Sequence, residues 1–329
     1  TASARNLGHR APARVAAVPT AILLLLSGAV VLSLGVAGAM SGVLRLARAH
    51  GASAFVLGVA LLGLDLGVLV AALTATVKGQ TAMAGGVAFG GVAFVLGIGY
   101  AGALFASREP VEAPSPTTAL PPLGALVLSA LALRDLYVSR GEGIALVAAF
   151  VIYLIFALRD PHEPTAHART GEVERLAGEP RRLHVPDLLL AVAGLVLIVG
   201  GAILLVQGGA GILDHTGLAA GFIGAAIVGS LAAAHGVRPM ILATRRGHPG
   251  IAAGIVTGVV ASSSTLVLGI AALVRPLTLD SSVSVAAIAV GVLYTIVAMA
   301  FVTRRRAGIG VCVALVVVFA AWLTIASRY

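Results

Sequence analysis

Residues 78–90 read KGQTAMAGGVAFG, and residues 246–258 read RGHPGIAAGIVTG, 168 positions further on. Each copy opens on a basic-Gly pair, Lys78-Gly79 and Arg246-Gly247. Glycines then recur at matching places, Gly86 and Gly90 in the first copy and Gly254 and Gly258 in the second. Each copy follows one apolar stretch and begins another. A duplicated hairpin of apolar helices is the ground plan of many secondary transporters, whose site lies where the two copies meet. The small-xxx-small spacing also gives each following helix a face that a neighbour can approach closely.

The composition places the chain in a membrane. It is 59% hydrophobic and 11% charged, with a mean hydropathy of +1.05. A spanning helix needs roughly 20 apolar residues. Ten such stretches can be drawn, near 19–43, 53–77, 81–106, 120–138, 141–158, 186–208, 218–243, 249–274, 281–303 and 308–327. The net charge of +9 would suggest nucleic acid in a soluble protein, but here the basic residues sit in short loops, where they set orientation. The loops after odd-numbered spans hold 13 Lys and Arg against 8 on the other side, with Arg238 inside span 7. This expects a multi-pass protein of the cell (inner or plasma) membrane with its long central loop cytoplasmic. The tail with Arg5, Arg10 and Arg14 argues the other way, like a signal-anchor. The apolar run of the first span exceeds the core of a cleaved signal peptide, so the span is read as part of the fold.

Two polar segments punctuate the chain, a Pro-rich loop at 107–122 and the longest loop at 159–186. The expected organisation is a basic tail at 1–18, a first five-helix repeat at 19–158, the hydrophilic loop at 159–186 and a second five-helix repeat at 187–329. His162, His167 and His184 in that loop read as solvated. Five is odd, so the halves enter the bilayer from opposite sides and the repeat is inverted. AILLLLSGAVVLSLGVAGAMSG at 21–42 is similar to LLLAVAGLVLIVGGAILLVQGG at 188–209, and GASAFVLG at 51–58 to GLAAGFIG at 217–224.

With VLGIAALVRPLTLD at 267–280 and DLYVSRGEGIALVAAFVIYL at 135–154, these patterns resemble the calcium/cation antiporter superfamily, which includes the sodium/calcium exchangers. The resemblance runs from about residue 20 to 327. It implies an all-α polytopic membrane protein of ten transmembrane helices, arranged as two inverted five-helix repeats. It also implies an ion site built from G-T-S-[LA]-P-E in spans 2 and 7 and G-N-x-x-G-S-N in spans 3 and 8. Those ligands are missing. The glutamate positions fall on Val68 or Val70 and on Gly236 or Met240. The asparagine and serine positions fall on Val87, Gly91 and Val92, and on Ile255, Val259 and Val260. A hard dication needs several oxygen ligands, so calcium by the family's usual chemistry is not expected.

The polar residues left inside the spans are the candidate ion or proton pathway. Asp65, in GLDLGVLV, lies in the middle of span 2, where a charge costs about 2.5–3.5 kcal/mol on insertion scales. It reads as a proton or cation carrier, or as a structural ion pair or a protonated acid. His235 and Arg238, three apart in span 7, share a helix face. Either could meet Asp65, or both could snorkel to the membrane edge. Thr257, Ser262, Ser263, Ser264 and Thr265 in span 8, with Thr74 and Thr76 in span 2, offer neutral oxygens or bonds to their own helix. Asp135, Arg140 and Glu142 read as an interfacial ion pair.

No enzymatic motif, cofactor loop, metal cluster or disulfide is read; Cys312 is the single cysteine. The leading expectation is a secondary cation transporter, by cation/proton or sodium-coupled antiport, working by alternating access with a non-standard site. Its partners would be the lipid bilayer and a monovalent cation or proton. The alternative is a transport-inactive subunit with a structural or regulatory role in a larger membrane complex.

Overall fold

The structure is a computed structural model that describes residues 11–49, 64–107, 111–112, 120–159, 185–245, 249–304 and 306–328. Arg246, Gly247, the stretch at 51–58, most of the basic tail and the central-loop histidines lie outside the described residues. The helices are α1 (Ala11–Ala49), α2 (Leu66–Val77), α3 (Thr81–Ala106), α4 (Pro121–Ala132) and α5 (Arg140–Arg159) in the first half. In the second half are α6 (Val185–Thr216), α7 (Ala220–Arg245), α8 (Pro249–Ala261, continuing through Ser262–Val267 and Leu268–Val274), α9 (Ser281–Met299) and α10 (Ile309–Ala326). Among the described residues, seven of these are long and apolar enough to cross a membrane: α1, α3 and α6 to α10. The sequence reading counts ten. The difference lies partly in α2 and α4, apolar helices of 12 residues each. The first starts at Leu66, inside the expected span, and the second starts at Pro121, at the end of the Pro-rich loop.

Length and burial sort the helices. The apolar stretches of α3 and α8 are 83% and 89% buried, whereas those of α1 and α6 are 33% buried. The two helices that carry the glycine pattern are therefore central, and α1 and α6 are peripheral. The outer helices turn large apolar side chains outward, among them Leu23, Leu26 and Val30 of α1 and Leu189, Val192 and Val196 of α6. Such a surface suits hydrocarbon rather than water.

The inverted repeat is visible in how α1 meets α6. Gly28 lies against Leu205, and Gly35, one heptad later, lies against Ile198. On the other helix Gly201 faces Leu32 and Gly194 faces Ala39. Contacts climb one helix as they descend the other, so these two repeat-equivalent spans run antiparallel. A Cβ at Gly35 would stand 2.6 Å from the Ile198 nitrogen, so the backbones themselves form the seam.

Four two-residue strands tie the repeats together: β1 (Val111–Glu112), β2 (Tyr137–Val138), β3 (Leu277–Thr278) and β4 (Arg306–Ala307). β1 pairs antiparallel with β4, with Val111 opposite Ala307 and Glu112 opposite Arg306. β2 pairs antiparallel with β3, with Tyr137 opposite Thr278 and Val138 opposite Leu277. Each ladder takes one strand from each half of the chain.

The interfacial ion pair expected of Glu142 is replaced by a capping box. Glu142 Oε2 accepts from the Ser139 N–H at 2.8 Å and from its hydroxyl at 2.8 Å, while Ser139 Oγ accepts from the Glu142 N–H at 3.2 Å. The start of α5 satisfies its own orphan donors this way. Asp135 Oδ1 accepts from the Tyr137 N–H at 3.2 Å.

Candidate functional site

Helix α2 begins directly after Asp65. The residue is not helical (φ −76°, ψ 86°) and caps α2, its Oδ1 accepting from the Val68 N–H at 3.0 Å. The sequence reading placed Asp65 inside a continuous helix, one turn before Val68. The carboxylate instead starts the helix, meeting one of the four N–H groups that a helix N-terminus leaves unpaired, at the positive end of its dipole. Asp65 is 5% exposed.

Span 7 breaks opposite it. Within α7, Ala234–Gly236 form a single 3₁₀ turn before the helix resumes at Val237. Pro239 accounts for the interruption. It has no N–H to donate to the carbonyl of His235 four residues back, and its ring crowds that carbonyl. The turn tightens and His235 projects from it.

The start of α2 and the interrupted turn of α7 meet. His235 Nε2 lies 3.9 Å from Asp65 Oδ1, and His235 Nδ1 lies 2.9 Å from the carbonyl oxygen of Ala232. Gly67 seats α2 on the broken turn: a Cβ there would stand 2.6 Å from the Ala232 oxygen and 3.0 Å from His235 Cε1. Of the two span-7 candidates, His235 reaches Asp65, whereas Arg238 is exposed one turn beyond.

The hydroxyls of α8 form a buried band beside this meeting point, and both α2 and α3 pack against the segment Ser262–Val267. That segment is π-helical, as is Val95–Tyr100 at the matching place in α3. Widened turns of this kind occur often at functional sites. Thr257 donates to the Gly254 carbonyl at 2.9 Å, Ser262 to Val259 at 3.3 Å, Ser264 to Val260 at 2.6 Å and Thr265 to Ala261 at 2.5 Å. In α2, Thr74 and Thr76 donate to Val70 and Ala72 in the same way. Ser263 Oγ is the exception, fully buried with no hydrogen-bond partner among the described residues.

The glycine pattern packs this centre. A Cβ on Gly86 or Gly90 would fall onto the backbone of Gly221 or Ala225, so α3 lies directly against the start of α7. Gly254 and Gly258 are buried in α8. Gly79 has φ +80° and closes α2: its N–H bonds to Thr76 and that of Gln80 to Ala75, the paired bonds of a Schellman cap.

Two participants escaped the sequence reading. Gly67 had a faint signal, a glycine two places after an intramembrane acid. Asp280, the last residue of the 267–280 pattern, accepts from the Gly221 N–H at 2.8 Å and contacts the Ser282 hydroxyl. It thereby holds the beginnings of α7 and α9 together.

A polytopic, nearly all-helical membrane protein of two inverted repeats, with a helix start and an interrupted helix meeting at a buried carboxylate, has the build of a secondary transporter. The profile of the family described as "Sodium/calcium exchanger protein" matches residues 20–159 and again 187–328, and the chain belongs to that family. The family consists of exchangers rather than enzymes. Among solved structures, the H+/Ca2+ exchanger CAX is similar at a TM-score of 0.68 with 14% identity, over 94% of this chain and 86% of that one. The sodium-calcium exchanger NCX_Mj soaked with 10 mM Na+ and 10 mM Sr2+ is similar at 0.63 with 19% identity, over 93% and 98%. The same exchanger soaked with 2.5 mM Na+ and 0.1 mM Ca2+ gives 0.63 and 20%, over 94% and 98%. A search of curated protein sequences gives no match.

Proposed function

We propose that this chain is a cation antiporter, coupled to protons or sodium, that works by alternating access between the repeats at 19–158 and 187–329. Its pathway runs past Asp65 and His235, with Thr257, Ser262, Ser263 and Ser264 of α8 beside them. One observation carries the reading: the start of α2 and the interrupted turn of α7, one from each repeat, meet at a buried acid. An acid held in hydrocarbon is costly and is a functional hypothesis by default. Calcium by the family's usual chemistry is not part of the reading, because among the described residues Asp65 is the one carboxylate at the meeting point and a calcium site gathers about six to eight oxygens. The setting is the cell membrane, with the 159–186 loop on the cytoplasmic side by its basic residues.

Purified protein in liposomes, given sodium, potassium or calcium gradients, should move at least one of these ions, and Asp65→Asn should abolish the movement. Absence of flux for all three would defeat the reading.

A second reading, a transport-inactive subunit of a membrane complex, is favoured by the apolar filling of the family's ligand positions. Val68, Val87, Val92 and Val260 are all fully buried. It expects no flux and a fixed partner that survives purification in mild detergent.

A further inference from the structure

We infer that Asp65 and His235 form a proton site, one exchangeable proton being carried by either Asp65 or His235 Nε2, which face each other at 3.9 Å. The inference rests on the antiporter reading and names the ion carried at its centre. The Ala232 carbonyl can only accept, so Nδ1, 2.9 Å from it, carries the ring N–H. Nε2 is then the bare nitrogen of the neutral imidazole, and it faces Asp65 Oδ1 at 3.9 Å. A nitrogen lone pair and a carboxylate oxygen are both acceptors. Facing each other in a buried place, they favour one proton on the pair, which leaves no lone buried charge. It rests on Nε2, giving imidazolium beside carboxylate, or on Asp65, giving a carboxylic acid beside neutral imidazole. In both forms the pair gains or loses one proton as a unit. The proton is taken from water at one face and returned to water at the other; no other bond forms or breaks.

The surroundings isolate the pair. The elements packed against α2 are α1, α3, α6, α7 and α8. Among the residues of these helices whose side chains are described, the other titratable or charged groups are Tyr100 in α3, Arg238 and Arg245 in α7, and Asp214 and His215 at the end of α6; the sequence of α1 also carries Arg14, Arg45 and Arg48, and that of α6 carries Asp187. Lys78 follows α2 and Arg275 follows α8. The stretch 50–63 that leads into Asp65 contains no acid and no base besides His50 at its start. The His235 side chain is 18% exposed against 4% for that of Asp65, so the ring is the more open member of the pair. The Val68 N–H fixes Oδ1 whichever partner holds the proton.

The test uses histidine labelled with 15N in the purified full chain, as wild type, Asp65→Asn and His235→Gln. His235→Gln assigns the signal, and Asn caps a helix as well as Asp, so the fold of Asp65→Asn is kept. The expected result is an Nδ1 that stays protonated at every pH, and an Nε2 whose titration midpoint moves by about one pH unit or more in Asp65→Asn. A bare Nδ1, or a midpoint unchanged in Asp65→Asn, overturns the proton site. In parallel, liposomes loaded with a pH-sensitive dye receive sodium, potassium or calcium gradients. Proton movement should fall at least tenfold in both variants. Coupled 15N signals with no flux would defeat the antiporter reading and leave the proton site standing. Proton flux that survives in both variants would defeat the proton site and leave antiport standing.

Discussion

One oxygen of Asp65 meets both the Val68 N–H and the edge of His235, so the cap and the charge can be separated by choice of substitution. Asp65→Ala removes both. The loss of an N-cap alone costs about 0.5–2 kcal/mol, and thermal unfolding in detergent should show it. Asp65→Asn keeps the cap, so its melting temperature should stay near that of the wild type while transport is lost. Gly67→Ala tests the seat of α2: its methyl would press on the Ala232 carbonyl, and a core with no spare room loses about 1–3 kcal/mol to such an addition. The acid itself was legible in the sequence, since a charged residue within an apolar run stands out. Its role as a cap was not. The run from 53 to 77 reads as one helix, and apolar composition carries no mark of the point where backbone bonds are handed to a side chain.

The helices of the centre owe their shape to interruptions rather than to regularity. Pro239 frees the carbonyl of His235 and tightens the turn that presents its ring. Restoring the missing N–H with Pro239→Ala should let α7 close its hydrogen-bond ladder there. The variant should melt no lower than the wild type yet transport more slowly, measured as flux in liposomes against unfolding temperature. The widened turns at Val95–Tyr100 and Ser262–Val267 sit in matching places in α3 and α8. The second is lined with three serines and a threonine, whereas the first, Val-Leu-Gly-Ile-Gly-Tyr, offers one hydroxyl, that of Tyr100. The sequence showed these helices through their glycines, because a small residue at a close approach leaves a trace in composition. It did not show the widened turns, which depend on how neighbouring helices pack. Nor did it separate His235 from Arg238. Three residues of helical spacing put both on one face, and only the broken turn sends one of them to Asp65.

Across the whole molecule, the two β ladders join the halves crosswise. With the threading expected from the sequence they fall on opposite faces of the membrane. Alternating access requires one repeat to move against the other. A bridge across a ladder should therefore stop transport without unfolding the protein. Tyr137 and Thr278 face each other across β2 and β3, at the separation of an antiparallel pair, which a disulfide can span. Tyr137→Cys with Thr278→Cys, oxidised, should lose flux and regain it on reduction; the native Cys312 is buried and should not interfere. The seam between α1 and α6 has a different consequence, for synthesis. The glycine face of α1 has its partner 163 to 177 residues downstream, Gly35 lying against Ile198 and Gly28 against Leu205. At translation speeds of about 5–20 residues per second, the first helix waits in the bilayer for on the order of ten to thirty seconds before the sixth emerges. Through that interval its close-packing groove faces lipid or whatever escort the insertion machinery provides, and the first half must hold its place in the membrane without the helix it was shaped to fit.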